Sequence, residues 1–565
     1  MRMTQENRHE ILYFLRCLSG VMFKGSKPFY LWMSSLTLIL LAGVAAYARQ
    51  ISRGLVLTHM TDHVSWGFYI SNFTFLVGVA AAAVLLIIPA YLYGFKAIKK
   101  IVIFGELLAV CAILMALTFI FVDFGRADRF WHVFPGIGTP NFPSSILAWD
   151  MLVLNGYLIL NIMIVVYAGW HSYHGSNPSK RILIPLILLS IPWAVGVHTV
   201  TAFVYNGLAA RPFWNASILA PRFLASAFCS GPALMIIIFQ ILRKISDFKI
   251  EDRAIFKIAE MIVYAMAINL FFLLAEVYKE YYSGTLSLSQ MKYLYQGLHG
   301  HGKLVPWIWT AIIVNMLGFV LFLIPKTRNN FITLNIACVF IFAGIWIEKG
   351  MGLVLPGFIP GMLGEVVEYM PSLHEIVVGI SVLSLGALVY TLFVRAAIAL
   401  DTGALRHPHA PPIAHEEDEG PHARDIMTRQ VLAVSFGTAI EAISRMLVSH
   451  RISGVPVVDG QNKTIGVVSE SDIIFKEIHH QPHLLETLGN IILPEGAERA
   501  GRTGSTAAEI MTSPAVTAYE ETPLKELIQT ITERKIKRII IIDREGVPLG
   551  IVSRIDIVKA LGKIE

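Results

Sequence analysis

Long apolar runs dominate the first 400 positions of the chain. A helix that crosses the hydrocarbon core of a bilayer needs about 20 apolar residues. Beyond residue 400 the pattern changes to short β-rich runs that alternate with amphipathic helices. The pattern therefore predicts an all-α polytopic membrane protein with about ten transmembrane helices, followed by a C-terminal α/β module. The ten apolar stretches are 28–48, 66–93, 101–123, 144–170, 182–206, 215–242, 256–278, 304–325, 330–347 and 371–399.

Composition supports a membrane protein surrounded by lipid. The chain is 55% hydrophobic and 15% charged, whereas roughly a quarter of the residues in a soluble domain are charged. This excludes a conventional soluble enzyme. The net charge of +6 is spread over 565 residues and is too small to indicate a nucleic-acid partner.

Basic residues set the predicted orientation. Lys and Arg are more frequent in the loops that would share a side with the N-terminus, for example Lys96, Lys99 and Lys100. The positive-inside rule then places both termini in the cytoplasm and the protein in the cytoplasmic membrane. Segment 1–27 lacks a small-residue cleavage site, so we expect it to be a cytoplasmic tail rather than a signal peptide.

Ionisable residues inside the apolar runs gather near the predicted outer ends of the helices. Charges at membrane depth are costly and usually have a partner or a function. Asp150, His198, Arg222 and Glu276 lie within apolar runs and are expected to form buried pairs or a functional site. The inner half offers Glu106 and Glu260, the weaker candidates for a proton route to the cytoplasm. Simple interface positions at helix ends are expected for a further set: His59, Asp128, Lys279 and Lys349.

Proline and cysteine add two expectations. Pro192, Pro232 and Leu355-Pro356-Gly357 interrupt apolar stretches, and broken backbone at membrane depth is tolerated mainly where it is buried in protein or lines a cavity. The four cysteines stand alone, so iron–sulfur and structural zinc sites are not expected, and no metal site is predicted. The transmembrane histidines are too scattered for a paired haem b site.

Three motifs carry a family resemblance. The stretch from His63 includes Trp66-Gly-Phe-Tyr69-Ile, residues 123–132 read Asp-Phe-Gly-Arg-Ala-Asp-Arg-Phe-Trp-His, and Ala-Trp-Asp150 follows. Together they resemble the NrfD/PsrC family of quinone-interacting membrane subunits over about residues 28–400. The ten-span form is most similar to the DsrP-type subunit of the sulfite-reduction-associated Dsr membrane complex.

The resemblance implies a subunit of a quinol oxidoreductase complex without a redox cofactor of its own. Such a subunit would exchange electrons between menaquinol and a periplasmic-side iron–sulfur protein, with a multihaem cytochrome and further membrane subunits as partners. The residues expected at the quinone site are His63, Trp66, Tyr69, Asp123, Arg126, Arg129, His132 and Asp150. Proton handling is expected of His63, Asp123, Asp150, His198, Arg222 and Glu276.

The C-terminal part contains an internal repeat. Asp425 and Glu509, each followed by Ile-Met, are 84 residues apart, and four further pairs share this offset. A constant offset indicates two copies of one unit. The expected domains are a tail (1–27), an NrfD-like transmembrane domain (28–400), a linker (401–421), repeat 1 (422–480), an insertion (481–508) and repeat 2 (509–565).

Both copies resemble CBS domains, which bind adenine nucleotides in pairs. The resemblance rests on Gly466-Val-Val-Ser469-Glu-Ser-Asp472 and on Gly550-Ile-Val-Ser553-Arg-Ile-Asp556. It implies that Asp472 and Asp556 accept hydrogen bonds from ribose, while Ser469 and Ser553 meet phosphate of AMP, ADP or ATP. The alternative is that these residues only cap helices.

Two other functions remain open from the sequence. CBS domains also accompany transporters, so a CBS-gated ion or solute transporter is the first alternative. The other is a membrane anchor that only docks redox subunits. The one-sided placement of ionisable residues argues against a transporter, because transporter sites usually lie near the bilayer midplane.

Overall fold

The computed structural model describes residues 5–134, 136–246, 248–408, 410, 421–474 and 505–561. The chain divides into two units, Met1–Ile413 and Ala414–Glu565. Most of the predicted linker and of the predicted insertion at 481–508, together with the end of repeat 1, lies outside the described residues.

The first unit is built from helices. Three short 3-10 turns, Leu55–Leu57, Ala127–Val133 and Leu355–Gly357, connect them. In chain order the helices are α1 (Gln5–Phe23), α2 (Lys27–Arg53), α3 (Phe68–Ala80), α4 (Ala82–Ile87), α5 (Lys96–Lys99), α6 (Val102–Asp123), α7 (Ile146–Tyr173), α8 (Lys180–Asn206), α9 (Leu219–Ile245), α10 (Asp252–Ser283), α11 (Leu288–Tyr295), α12 (Val305–Leu323), α13 (Pro325–Arg328), α14 (Phe331–Lys349), α15 (Met351–Val354) and α16 (Leu373–Asp401).

Ten helical segments among the described residues are long and apolar enough to cross a membrane. They match the ten predicted stretches to within a few residues, so the all-α polytopic fold is confirmed. The second segment, Phe68–Leu92, is 83% buried and forms the centre of the bundle, whereas Lys27–Arg53 is only 11% buried. The outermost helix α2 packs on α16, where the Ser384 hydroxyl donates to the Leu36 carbonyl at 2.8 Å.

The expectation that Pro192 and Pro232 break their helices is wrong. Both lie inside helices α8 and α9, which continue across them. The same expectation for Leu355-Pro356-Gly357 is confirmed, because these residues form a 3-10 turn after α15. A further discontinuity occurs in the central span, where α3 ends at Ala80 and a π-helical turn, Ile88–Leu92, follows α4. Pro89 contributes to this turn because it has no N–H to donate to the helix.

The predicted N-terminal tail contains a helix. α1 packs against the C-terminal end of α7, where the Phe14 ring meets Tyr173 edge to face at 4.7 Å. The Arg395 guanidinium on α16 donates to the Val21 carbonyl at 3.1 Å. These contacts hold α1 against the transmembrane helices.

The second unit contains two three-stranded sheets of the same topology. In each, the first two strands are parallel and the last two antiparallel. The strands are β1 (Val434–Ser435), β2 (Gly454–Val458), β3 (Thr464–Ser469), β4 (Thr517–Tyr519), β5 (Arg538–Ile542) and β6 (Pro548–Ser553). The helices are α17 (Ala423–Ile426), α18 (Ile440–His450), α19 (Ala507–Ile510), α20 (Leu524–Glu533) and α21 (Arg554–Leu561).

Each copy of the repeat completes the core of the other. Ala423 and Met427 belong to the hydrophobic cluster of the second sheet, while Ala507 and Ile510 belong to that of the first. A backbone bridge joins Thr428 to Ile551, and its counterpart at the 84-residue offset joins Val467 to Thr512. These two bridges hold the exchanged segments in place. The two repeats therefore form one folding unit with internal two-fold symmetry.

Candidate functional site

The predicted quinone-site residues of the first unit lie at one end of the bundle, which we call the polar end. It contains the beginnings of α3, α7, α9 and α16 and the ends of α6, α8, α10 and α14. Helices that alternate in direction bring these termini together. The opposite end contains the C-terminal end of α7, the beginning of α8 and helix α1.

Arg222 is the centre of a buried ion-pair network at the polar end. Its guanidinium donates to Glu276 and, at 2.7 Å, to Glu348. The Asn315 side chain donates to the second Glu348 oxygen at 3.0 Å. Because all three charged residues are at most 9% exposed, each charge depends on the others for compensation. The network links α9, α10, α12 and α14.

Lys349 is buried beside this network, at 3% exposure. Its ammonium donates to the Phe223 carbonyl at 2.6 Å and lies 3.8 Å from the centre of the Phe223 ring. The sequence-based expectation that Lys349 extends to the membrane interface is therefore wrong. The reason is that the chain continues from α14 into the buried helix α15 and the buried Leu355–Gly357 turn.

A second polar group lies on α7 and α8. It contains Asp150 of α7 and His198 and Thr201 of α8. The Thr201 hydroxyl donates to Asp150 at 2.6 Å, and Asp150 is 3% exposed. His198 donates through Nδ1 to the Ala194 carbonyl at 2.7 Å, a partner that assigns the tautomer. Its Nε2 atom has no hydrogen bond of normal geometry among the described residues. His198 lies one helical turn before Thr201 on α8, so the buried imidazole is one turn from the hydroxyl that bonds Asp150.

An aromatic cluster includes Tyr205, which lies one turn after Thr201 on α8. Trp66 stacks on Trp214 with ring centres 5.6 Å apart, and Tyr205 and Phe358 meet both indoles edge to face. The Trp214 indole N–H donates to the Leu353 carbonyl at 2.9 Å. The cluster joins the loop before α3 to α8 and α15.

Tyr69, on α3, and Asp123, at the end of α6, belong to a third polar group. The Tyr69 hydroxyl donates to Gln50 at 2.9 Å, and Gln50 donates to the Val122 carbonyl at 2.7 Å. One Asp123 oxygen is buried without a hydrogen-bond partner among the described residues. Glu375 accepts from the Tyr369 hydroxyl and completes a capping box at the start of α16.

The remaining predicted quinone-site residues lie on the exposed surface of the polar end. His63 is 3.7 Å from Glu365, and Arg126 makes a two-point ion pair with Asp128. His132 lies against Trp131, and Arg129 is exposed. Asp150, His198, Arg222 and Glu276 are thus buried and Trp66 is partly buried. The four exposed basic residues, His63, Arg126, Arg129 and His132, are called the exposed rim below.

The two inner carboxyl groups differ. Glu106 is 1% exposed and neither oxygen has a hydrogen-bond partner among the described residues. Glu260 is partly exposed and pairs with Lys257 at 3.0 Å. Tyr157 lies within electrostatic range of Glu106. On α7, Tyr157 shares a buried face with Asp150 and Asn161, so polar groups extend about 16 Å along this helix.

A cavity of about 870 Å³ lies at the opposite end. Its walls are mainly apolar and come from α1, α6, α7, α8 and α16, with Lys99, Lys100 and Lys180 among the lining residues. It contains none of the predicted quinone-site residues. At the polar end, a cavity of about 10 Å³ adjoins Arg222, Glu276 and Glu348, room for about one water molecule.

The predicted nucleotide residues occupy equivalent positions in the two halves of the second unit. Asp472 accepts from the backbone N–H and hydroxyl of Ser469 at 2.9 and 2.6 Å, and Asp556 accepts likewise from Ser553. The helix-capping role considered from the sequence is thus present in both copies. The other Asp472 oxygen, Oδ1, accepts from the Thr512 hydroxyl at 3.4 Å.

Arg538 lies beside the first of these positions. Its guanidinium donates to the Ser453 hydroxyl at 2.9 Å. Burial lowers the pKa of Arg538, and the nearby carboxylates of Glu470 and Asp472 oppose that change. The Arg538 guanidinium therefore lies near the carboxylates of Glu470 and Asp472.

Sequence reasoning missed the partners that complete these groups: Thr201, Tyr205, Trp214, Asn315, Gln50, Arg538 and Thr512. Most are neutral, and neutral polar residues occur often in membrane helices. For the ion-pair network, the available signal was that Glu348 and Lys349 directly follow an apolar run. A pair of charged residues at the membrane interface has the same sequence pattern, so the pattern does not distinguish a buried pair from an exposed one.

The ten spans and the paired three-stranded sheets define a multi-pass membrane protein with a C-terminal CBS module. The family model for polysulphide reductase NrfD matches residues 56–358, and that for the CBS domain matches residues 423–478 and 507–563. The first match covers more than half of the chain, so the chain belongs to the NrfD family. The predicted family and the CBS pair are confirmed.

Curated relatives belong to redox complexes. A selenate reductase subunit of Mesobacillus selenatarsenatis is 22% identical over 411 residues, which cover 65% of this chain and 93% of the relative. The Hdr-like menaquinol oxidoreductase integral membrane subunit of Archaeoglobus fulgidus is 23% identical over 379 residues, covering 63% and 90%. The chain is thus an NrfD-type membrane subunit of the reductase and oxidoreductase class.

Among solved structures, CBSX2 in complex with AMP is 24% identical to the CBS part. The match covers 26% of this chain and 98% of that one, with a TM-score of 0.21.

The buried ion-pair network yields a stability prediction. Arg222→Met leaves two buried carboxylates without their cation and should destabilise the protein by roughly 3–5 kcal/mol. Arg126→Met removes an exposed pair and should leave thermal unfolding in detergent, followed by tryptophan fluorescence, unchanged. Adding Glu276→Gln and Glu348→Gln to Arg222→Met should recover part of the loss. Equal unfolding temperatures for the two single variants would contradict a network that supports the fold.

Proposed function

We propose that this chain binds menaquinol or menaquinone at its polar end and exchanges electrons with an iron–sulfur partner docked there. The observation that carries the proposal is the buried Asp150–Thr201 hydrogen bond, with His198 one turn before Thr201 on α8 and Tyr205 of the aromatic cluster one turn after it. The name of the Archaeoglobus relative, a menaquinol oxidoreductase subunit, supports the quinone class. Under the positive-inside rule the polar end faces the periplasm.

The chemistry requires groups of this kind. Oxidation of a quinol to a quinone releases two electrons and two protons. In the proposal the electrons pass to the partner, and Asp150 and His198 accept protons, since a carboxyl and an imidazole can both titrate near neutral pH in a suitable environment. Trp66 and Tyr69 would contact the ring, with Asp123 near Tyr69 as a further proton acceptor.

The exposed rim has a separate role in the proposal. His63, Arg126, Arg129 and His132 are exposed and would contact the quinone head at the entrance. Arg222 and Glu276 would support proton handling from behind, because their network fixes α9 and α10. A multihaem cytochrome and further membrane subunits complete the proposed complex.

A matched pair of variants tests the quinone site. Asp150→Asn keeps the shape of the side chain but cannot take up a proton in the same way, so menaquinol oxidation by the purified complex should fall about 100-fold. His63→Ala should also impair it. Asp252→Asn, at an exposed carboxylate that pairs with Arg243 at the start of α10, should retain activity. Copurification of partner subunits serves as the assembly control.

Two outcomes would reject the proposal in different ways. Unchanged turnover in both Asp150→Asn and His63→Ala would remove the quinone assignment and leave an anchor for redox subunits. Failure of the wild-type chain to copurify with an iron–sulfur protein would instead favour the CBS-gated transporter.

We also propose that protons move between the polar end and Glu106. Buried polar groups follow one another from Asp150 and His198 through Tyr157 to Glu106, and three of these residues carry atoms without a hydrogen bond of normal geometry among the described residues. Buried polar atoms of this kind are usually satisfied by ordered water. A chain of water and side chains is a physical route for protons.

The two inner carboxyl groups provide the test. In proteoliposomes that hold the complex, Glu106→Gln should lower the number of protons moved per quinol oxidised, because the amide cannot carry a proton along the route. Glu260→Gln should leave this ratio unchanged, since Glu260 already pairs with Lys257 near the surface. An equal fall in both variants, or none in Glu106→Gln, would reject the route.

For the CBS module we propose binding of an adenine nucleotide between the two halves. Asp472 and Asp556 would accept from ribose, and Ser469, Ser553 and the Arg538 guanidinium would contact phosphate. The placement of Arg538 beside Asp472 supports this assignment. The nucleotide would then regulate the membrane unit.

Calorimetry of the full chain with AMP, ADP and ATP tests nucleotide binding. Asp472→Ala and Asp556→Ala should each weaken the preferred nucleotide by about tenfold or more, as expected when a charged hydrogen-bond partner is lost. Asp459→Ala is the matched control, because Asp459 also accepts two backbone N–H groups, at 2.8 and 2.9 Å, in the same repeat. Absence of binding to the wild-type chain would leave a purely structural role.

A further inference from the structure

Three potential metal ligands meet at the end of the bundle opposite the polar end. They are Glu10 of α1, His174 directly after α7 and His407 after α16. One ligand atom from each residue lies within 4.8 Å of the others. The Glu10 carboxylate oxygen is 2.7 Å from His174 Nε2 and 3.8 Å from His407 Nε2.

The surrounding structure fixes these side chains. Phe14 holds α1 against Trp170 and Tyr173, one helical turn beyond Glu10. Gly403, with a φ of +76°, lets the chain reverse after α16. The His407 backbone N–H then donates to the Tyr173 carbonyl at 2.9 Å. The two imidazole rings stack with an interplanar angle of 18°. Their Nε2 edges therefore face the same carboxylate.

The hydrogen bonding of His174 determines what can occupy the space between the ligands. Its Nδ1 lies 2.9 Å from the Trp170 carbonyl, which can only accept, so Nδ1 carries the hydrogen. In the neutral ring Nε2 then presents a lone pair to the Glu10 carboxylate. Two acceptors at 2.7 Å repel each other unless a proton or a metal ion lies between them.

We propose that Glu10, His174 and His407 bind a divalent transition-metal ion of the Zn²⁺ class. Two imidazole nitrogens and one carboxylate are a known zinc ligand set, with a fourth position for water. Bonds of about 2.0–2.1 Å in a tetrahedron separate ligand atoms by about 3.3 Å, between the two separations observed. The bond from His174 Nδ1 to a backbone carbonyl is the usual support of a zinc-bound imidazole.

Such an ion would connect three parts of the chain that are distant in sequence. It would join the N-terminal helix to the end of α7 and to the segment that follows the last span. The ligand side chains are 22–34% exposed, so an ion can enter from water. The expectation of no metal site came from the cysteines and did not consider histidine–carboxylate sets.

Metal titration of the full chain tests the proposal. The chain should carry no histidine tag and be treated with EDTA in detergent, and Co²⁺ then serves as a coloured substitute for Zn²⁺. The wild type should develop visible absorption bands typical of a tetrahedral site, which excess Zn²⁺ removes. Glu10→Gln, His174→Ala and His407→Ala should each weaken binding by at least about 100-fold, more than the usual loss of an outer partner.

His171→Ala is the matched control. His171 lies one turn before His174 on α7 and contacts Ser176 instead of the ligand group, so its removal should leave the titration unchanged. Glu10→Gln preserves side-chain shape, which separates loss of a ligand from loss of folding. Binding that is equal in the wild type and the three ligand variants, or no binding by the wild type, would overturn the proposal.

Discussion

Charge cannot remain uncompensated in the low-dielectric interior of a helix bundle, and this constraint organises the polar end. Arg222 meets two carboxylates, Asn315 supports one of them, and Lys349 has a carbonyl and a ring face. Each of these contacts requires a particular separation between α9, α10, α12 and α14. The ion-pair network therefore fixes the ends of α9, α10, α12 and α14 relative to one another.

The spans and their polar end could be predicted from the sequence because both follow from local properties. Bilayer thickness fixes the length of an apolar run, and a charge inside such a run is conspicuous. Partners could not be predicted, because Glu276 and Glu348 are brought to Arg222 by packing between distant helices. Lys349 shows the limit of local reasoning. Its sequence context is that of an interface lysine until the following chain folds inward and covers it.

The CBS repeats show a related limit. The offset of 84 residues predicts two copies, yet it is the same whether each helix packs on its own sheet or on the other one. Contacts decide the matter, since Met427 lies against Gly550 of the second sheet and Met511 against Gly466 of the first. A side chain at either glycine would collide with the methionine. The glycines that resemble a nucleotide motif thus also permit the exchange of helices.

The two halves of this unit differ at the symmetry-related positions Gly454 and Arg538. The Arg538 side chain extends to Gly454, where a Cβ atom would collide with it. Through this pair of positions Asp472 has a guanidinium of the opposite half nearby, whereas Gly454 has no side chain to extend towards Asp556. A phosphate group is stabilised by such a cation. The surroundings of Asp472 and Asp556 are consequently not equal although the backbone is symmetric, and an anionic ligand would favour the Asp472 side.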